Sequence, residues 1–292
     1  MAAQLFDEFF RAEARMFLLA AIRIALSEDG PDLTSEGIFS PSDLARAEVV
    51  ARQETLVAGL PIIPLVLEFG GADCAADLDA TDGDRVRAGD AVAQLAGPVA
   101  QLLRCERVIL NFLCHLSGIA ELTSRYVAAL AGSRTRLLDT RKTLHGLRYP
   151  EKYAVRVGGG FNHRLNLAEL LLVKDNHIDR AGSITAAVER LRQARHGKRR
   201  LPVEVECRSA TEVKEAVAAG VDRIMLDNMD LATMRASLAL IPAGIESEVS
   251  CGVSLSNIAE IGRLGPDFVS VGRITHSAPA SDFSLDILPG DG

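Results

Sequence analysis

Four short β-rich runs in the second half of the chain end on charge. DTRKT delivers Arg141 and Lys142, VKDNH delivers Lys174 and Asp175, VEVE delivers Glu206, and MLDN delivers Asp227. In a parallel α/β array the carboxyl ends of the strands share one mouth, so these side chains are expected together rather than scattered over helices. Residues 134 to 174 hold nine cations (Arg134, Arg136, Arg141, Lys142, Arg148, Lys152, Arg156, Arg164 and Lys174) against Asp139, Glu151 and Glu169. That is a local +6 inside a chain of formal charge −7. Arginine's planar fork matches carboxylate and phosphate, and a concave site strengthens the field, so the reversal favours a multiply anionic small ligand. Arg134, Arg136, Arg148, Lys152 and Arg156 read as solvated or structural members of the set.

The segment GGGFNHR sets Gly158 to Gly160 before Asn162, His163 and Arg164. No GK[ST] follows it and no GxGxxG opens a helix, so it is neither a Walker loop nor a dinucleotide fingerprint. The last two runs end in Ser250-Cys251-Gly252 and Gly272. Glycine there frees backbone amides of the kind that hold phosphate in barrels, with plain tight turns as the equal alternative. Glu206 alternates with Val203 and Val205, which turns it into the barrel. A buried carboxylate is costly alone, so a structural pairing with Lys174 or Arg141 stands beside the functional reading. His163 reads as a site residue with a capping role as its alternative, and His115 is open between the two. His145, His177, His196 and His276 read as structural or surface groups.

These side chains need a frame. A helix is expected over Phe6–Ser27, ended by Gly30 and Pro31. From about Ala47 to Gly97 short alternating segments with Gly-Asp turns form an α+β domain. The hairpin between Gly83 and Gly97 resembles a carrier-domain turn but contains no lysine to modify, so it is structural. A long helix begins at Leu102, and strands are then expected over Arg136–Thr140, Leu170–Asp175, Pro202–Glu206, Arg223–Asn228, Ile245–Ser250 and Asp267–Gly272. Helices separate the later strands, one of them with Thr211 as its expected cap. Apolar runs alternating with helices imply parallel strands buried on both faces, in a barrel or a doubly wound sheet.

The bulk figures exclude several classes. With 292 residues, 48% of them hydrophobic, the chain is neither disordered nor fibrous. Its negative charge disfavours nucleic acid and anionic membrane as partners. Five cysteines without CxxC or zinc spacing suggest neither a disulfide framework nor a structural metal, and fit a reducing, cytoplasmic setting. No cysteine is paired by motif with a base, so thiol catalysis is not expected. Asp7 and Glu8 precede any basic residue and Met16–Ile22 is too short to span a bilayer, so no leader or membrane segment is expected.

The runs DTRKTLHGLRYPEKYAVRVGGGFNHR, LLLVKDNHI, VEVECRSATEVKEAVAAGVDRIMLDN and SVGRITHSAPASDFSLDI, together with the stretch from Leu56 to Pro61 and ERVILNFLCHLSGIA, resemble the signature blocks of the quinolinate phosphoribosyltransferase family. The resemblance extends from about Glu28 to the carboxyl end, with the blocks in family order. It implies an amino-terminal α/β sandwich over 1–117, to which the tail 277–292 returns, and a TIM-like α/β barrel over 118–276 that is short of eight strands. It also implies a homodimer in which Arg107 crosses to the partner's site. By the same matching, Arg141, Lys142, His163, Arg164 and Lys174 line the dicarboxylate and phosphate pockets. Glu206 and Asp227 face the ribose and its magnesium, and Ser250, Gly252 and Gly272 cradle the 5'-phosphate. Lys142, Lys174, Glu206 and Asp227 are the implied catalytic set.

The implied reaction joins quinolinate to phosphoribosyl pyrophosphate, releasing carbon dioxide and pyrophosphate and leaving nicotinate mononucleotide for NAD synthesis. Cleaving the anomeric bond develops positive charge on the sugar and negative charge on the leaving group, so anions beside the sugar and cations beside the pyrophosphate are what the site needs. The alternatives are a related protein of molybdenum-transport operons, a Schiff-base lyase using Lys174, and a silent sensor of phosphoribosyl ligands. Retention of Lys174-Asp175-Asn176-His177 argues against the first. The chain departs from the family pattern at Leu144-His145, where the pattern has Thr-Pro, at Cys251, where it has Gly, and in the loosely matching segment SEDGPDLTSEG.

Overall fold

The computed structural model describes residues 2–194 and 200–289, which places His196 outside the described residues. The chain forms two compact units, the first made of residues 1–124, 142–159 and 273–292, the second of 125–141 and 160–272. The segments 118–124, 142–159 and 273–276 cluster by contact with the first unit.

The first unit opens with α1 (Ala2–Phe9), α2 (Ala12–Asp29) and α3 (Leu33–Ile38). The single helix expected over Phe6–Ser27 is thus two, broken at Phe10 and Arg11, with Ala12 at φ 44°. The reason is packing. Phe6 and Phe10 close on Tyr153 at ring distances of 5.4 and 5.2 Å, while Leu18 and Ile22 are fully buried further along α2, and one straight helix does not serve both surfaces. Strands β1 (Leu44–Ala51), β3 (Ala75–Leu78), β5 (Ala91–Pro98) and β12 (Phe283–Ile287) form an antiparallel sheet in the order β12-β1-β5-β3. The chain's last strand thus pairs with its first, Val49 opposite Leu285. A small ladder joins β2 (Thr55–Leu56) to β4 (Arg85–Val86). Helices α4 (Ile62–Phe69), α5 (Val99–Ala129), α6 (Arg148–Val157) and α12 (Arg273–His276) complete the unit, apart from the end of α5. Buried Asp82 pins the turn before α4 by accepting from the Gly59 and Leu60 amides at 2.9 Å each and from the Tyr153 hydroxyl at 2.6 Å.

The second unit is a curled parallel sheet. Its strands are β6 (Arg136–Leu138), β7 (Leu171–Val173), β8 (Val203–Cys207), β9 (Arg223–Asp227), β10 (Glu246–Ser250) and β11 (Phe268–Ser270), in the order β6-β11-β10-β9-β8-β7. Strands β7 to β11 advance one neighbour at a time and the earliest strand, β6, lies beside the last. A doubly wound sheet would reverse direction partway, so this order is that of an incomplete TIM-like barrel. All six expected strands are present. At the seam beside β6, Phe161 adds one parallel bridge to Leu138.

Helices α7 (Asp175–Ala181), α8 (Ile184–Gln193), α9 (Ala210–Ala219), α10 (Leu231–Leu238) and α11 (Ile258–Leu264) alternate with these strands. Ser183, Ser209 and Asp230 cap α8, α9 and α10 through side-chain oxygens. Ser209, not Thr211, is the α9 cap, because its oxygen reaches the Glu212 amide at 3.2 Å. Among the described residues no helix is long and apolar enough to cross a membrane.

Candidate active site

The registers fix what the barrel encloses. Glu204 pairs with Arg223, Arg223 with Glu246, Glu248 with Met225 and Phe268, Ser250 with Asp227, and Leu138 with Ser270. Because side chains alternate, these residues and Glu206 share one face of the sheet, and Val205, Cys207, Ile224, Leu226, Val249 and Val269 share the other. The second set is apolar and fully buried, as a helix-covered face is. The strands are buried on both faces, as expected, but the first set is charged: the concave face holds glutamates and an arginine at zero or low exposure. Glu204, Arg223 and Glu248 lie within the strands, below the ends that carry Lys174, Glu206 and Asp227.

At those ends Lys174 Nζ lies 2.6 Å from Glu206 Oε2. Lys174 is the N-cap of α7, and its own amide donates to His177 Nδ1 at 3.0 Å, so His177 is a capping residue. Asp227 ends β9 half-buried, and no side-chain hydrogen bond reaches its carboxylate among the described residues. Ser250 ends β10, and exposed Cys251 and Gly252 follow at φ 63° and 64°. A side chain is strained in that left-handed region, so Cys251 occupies a turn built for glycine. Gly272 is half-buried two residues past β11.

Arg164 and Arg141 form the cationic side. Arg164 is held below its ordinary value by burial first and by the nearby Arg141 charge second. Its Nη1 donates to the Leu170 carbonyl at 2.8 Å. Arg141 has its Nε buried with no protein acceptor among the described residues. Two guanidinium groups near each other, one with an unspent buried donor, are stable when an anion lies between them.

His163 sits at 7% exposure behind Arg164. Fully buried Asp139 accepts from the His163 amide at 2.8 Å and from Asn162 Nδ2 at 2.7 Å. The ring Nδ1 accepts from the Arg164 amide at 2.7 Å, and Nε2 lies 3.2 Å from Glu204 and 3.7 Å from Glu248. Burial pushes the Glu204 carboxyl up to about 7, and burial with the Glu204 charge pushes Glu248 up to about 8. Arg223 balances Glu248 at 3.3 Å.

The remaining expected site residues, Lys142 and Arg107, belong to the first unit. Lys142 is exposed and its carbonyl accepts from Thr275 Oγ1 at 2.8 Å. Arg107 stands on α5 with 64% of its side chain exposed.

The family models for the quinolinate phosphoribosyl transferase N-terminal and C-terminal domains match residues 32–117 and 119–286. The chain belongs to the quinolinate phosphoribosyltransferase family. Among its relatives, the probable nicotinate-nucleotide pyrophosphorylase (carboxylating) of Bacillus subtilis is 41% identical over 256 residues, covering 88% of each chain. The Mycobacterium leprae nicotinate-nucleotide pyrophosphorylase is 37% identical, covering 91% of this chain and 95% of its own. A solved structure of the Francisella tularensis nicotinate-nucleotide pyrophosphorylase superposes with a TM-score of 0.88 at 33% identity, covering 96% and 99% of the two chains.

Within this quinolinate phosphoribosyltransferase frame, the blocks that carry the likeness occupy the strand ends just described. Sequence reasoning missed Asp139, Glu204 and Glu248. The last two were open to detection, since VEVE and ESEVS alternate charge with Val or Ser, and Glu204 has the parity of Glu206. The bystanders are also placed. His115 lies 3.0 Å from buried Glu151, His276 Nδ1 is 2.6 Å from Ser277 Oγ, and Lys152 is fully buried. His145, exposed, lines a cavity between α2 and α5. A cavity of about 750 Å³ opens at the opposite strand ends. Among its lining residues Arg134 pairs with Asp267 at 3.6 Å and Arg136 stacks on Phe268 at 4.5 Å, and none of the strand-end residues Lys174, Glu206 and Asp227 reaches it.

Proposed function

We propose that this chain is a decarboxylating phosphoribosyltransferase that converts quinolinate and phosphoribosyl pyrophosphate to nicotinate mononucleotide, carbon dioxide and pyrophosphate in NAD biosynthesis. Alongside the family membership, the observation that carries this reading to the residues is the buried Arg141 donor beside Arg164 at the end of the barrel that also holds Lys174 and Glu206.

Arg141 and Arg164 fork onto the quinolinate carboxylates and orient the ring. The ring nitrogen attacks the anomeric carbon as its bond to pyrophosphate breaks. Glu206 and Asp227 stabilise the positive charge that develops on the ribose, and Lys174 and Lys142 the charge that grows on the departing oxygens. With the nitrogen quaternised, the adjacent carboxylate leaves as carbon dioxide, its bonding pair stays on the ring carbon, and a proton replaces it there. Ser250, Gly252 and Gly272 offer the hydroxyl and backbone amides that suit the 5'-phosphate. His163 stands behind Arg164 in the dicarboxylate pocket.

Magnesium fits this donor set as a substrate-borne ion. Glu206 and Asp227 are hard oxygen ligands but only two, and among the described residues the one group of three metal-capable side chains lies elsewhere, at His163, Glu204 and Glu248. The two carboxylates would hold the ion together with substrate oxygens and water, where it neutralises pyrophosphate charge.

The active form is a homodimer in which Arg107 of a second copy completes the quinolinate pocket; its exposure on α5 supports this role. The five cysteines, without CxxC or zinc spacing, fit a cytoplasmic enzyme. A Schiff-base lyase is disfavoured by the 2.6 Å Lys174–Glu206 pair, which engages the amine that such a lyase would need open to its carbonyl substrate. The test is magnesium-dependent release of carbon dioxide from quinolinate, with none expected when phosphoribosyl pyrophosphate is omitted.

A further inference from the structure

We propose that Glu204 and Glu248 are positioning residues for quinolinate binding, holding the His163 ring as its Nε2–H tautomer and, through that ring, fixing Arg164. The proposal rests on the reading above that Arg164 grips the diacid. Residue 163 is held at three points. Asp139 takes its backbone amide, the Arg164 amide donates to its Nδ1 at 2.7 Å, and the glutamate pair faces its Nε2 at 3.2 and 3.7 Å.

A ring nitrogen that accepts a hydrogen bond carries no proton, so the imidazole proton is on Nε2 and points at the carboxyl pair. The 3.2 Å approach of Nε2 to Glu204 is an ionic contact short of a formed hydrogen bond, among the described residues, and the Glu248 carboxyl is the group that hydrogen-bonds Glu204. The pair depends on the ring as much as the ring depends on the pair. Arg164 inherits this order through its own amide, and its guanidinium is steadied at the far end by the Leu170 carbonyl.

The same three side chains bring their ligand atoms within 4.8 Å of one another, as a cation site would. The Arg164 amide rules against that use. A metal needs the Nε2 lone pair, which would move the ring proton to Nδ1 and set it against the amide N–H.

The decisive measurements use the full chain. Ring-¹⁵N histidine spectra, with His163 assigned by its loss in His163→Asn, are expected to show one protonated nitrogen, Nε2, with and without quinolinate. In steady-state assays Glu204→Gln, which keeps an acceptor for Nε2–H, is expected to hold the quinolinate KM within about threefold of the parent. Glu204→Leu, which removes it, is expected to raise that KM about tenfold, the scale of one lost buried charged contact, with the phosphoribosyl pyrophosphate KM little changed. A parent spectrum with the proton on Nδ1, or on both nitrogens, overturns the proposal. So does a folded Glu204→Leu protein with parental KM and unchanged ring signals, or a Glu204→Gln variant as impaired as Glu204→Leu. If Glu204→Leu does not fold, the parent spectrum and Glu204→Gln decide. Absence of quinolinate turnover in the parent protein sinks the activity reading instead, and the tautomer spectrum tells the two failures apart.

Discussion

Arg141 presents a buried Nε with no protein acceptor among the described residues, and its charge lies close enough to add to burial in holding Arg164 below its ordinary value. Protein interiors leave few donors orphaned, and those that persist mark places where something else binds. Replacing Arg141 with alanine removes both the fork and the charge, so kcat/KM for quinolinate is expected to fall by about 10² to 10³, or ~3–4 kcal/mol of transition-state stabilisation. The melting temperature should change little, since no protein hydrogen bond to that Nε is lost; equal losses of activity and stability in Arg141→Ala would contradict the assignment. Lys142 is exposed, and Lys142→Ala is expected to abolish turnover with the fold intact, as judged by circular dichroism beside the assay. These residues were legible in the sequence because each charge stands where an apolar run ends. Asp139 was not, because its role is to tie the segment at Asn162 and His163 to β6, and that pairing spans the whole of α6 and the triple glycine.

At the scale of elements, the barrel's strands were legible from their apolar rhythm, whereas the polarity of the inner face was not. Glu204 and Glu248 read as ordinary members of alternating runs until the registers place them against Arg223 and His163. Their ordinary value is 4.5 and burial raises them to about 7 and about 8. Between those limits the folded protein binds more protons than the unfolded chain, so stability from this pair is fully present below about 4.5 and is lost as pH rises through about 7 and 8. Urea unfolding over that range should show the fall, and Glu248→Gln should flatten it; an unchanged slope in Glu248→Gln would count against the raised carboxyls. The first unit has its own constraint. A Cβ at Gly118 would overlap the Pro279 carbonyl oxygen, a backbone atom that cannot swing away. Gly118→Ala is therefore expected to cost about 2 kcal/mol or more in chemical denaturation. The break between α1 and α2 escaped the sequence reading for a related reason: helical spacing is continuous across it, and only the burial of Phe10 against Tyr153 interrupts the backbone.

For the whole molecule, an acidic chain gathers nine cations between residues 134 and 174, and of these Arg141, Arg164 and Lys174 belong to the unit whose strands end in Glu206 and Asp227. On the proposed function, this arrangement serves anionic reactants. The dimer can be tested by complementation. Arg107→Ala and Lys174→Ala are each expected to be inactive alone. Mixed and reassembled, they should regain about a quarter of parental activity, because half the dimers are mixed and one of their two sites is intact; no recovery would show that Arg107 acts within its own chain. The most direct measurement follows both products at once, carboxyl-labelled quinolinate for carbon dioxide and phosphoribosyl pyrophosphate for pyrophosphate. One of each per turnover, only with magnesium and both substrates present, is the expected result. Pyrophosphate released without quinolinate, or no carbon dioxide from the purified parent protein, would contradict it.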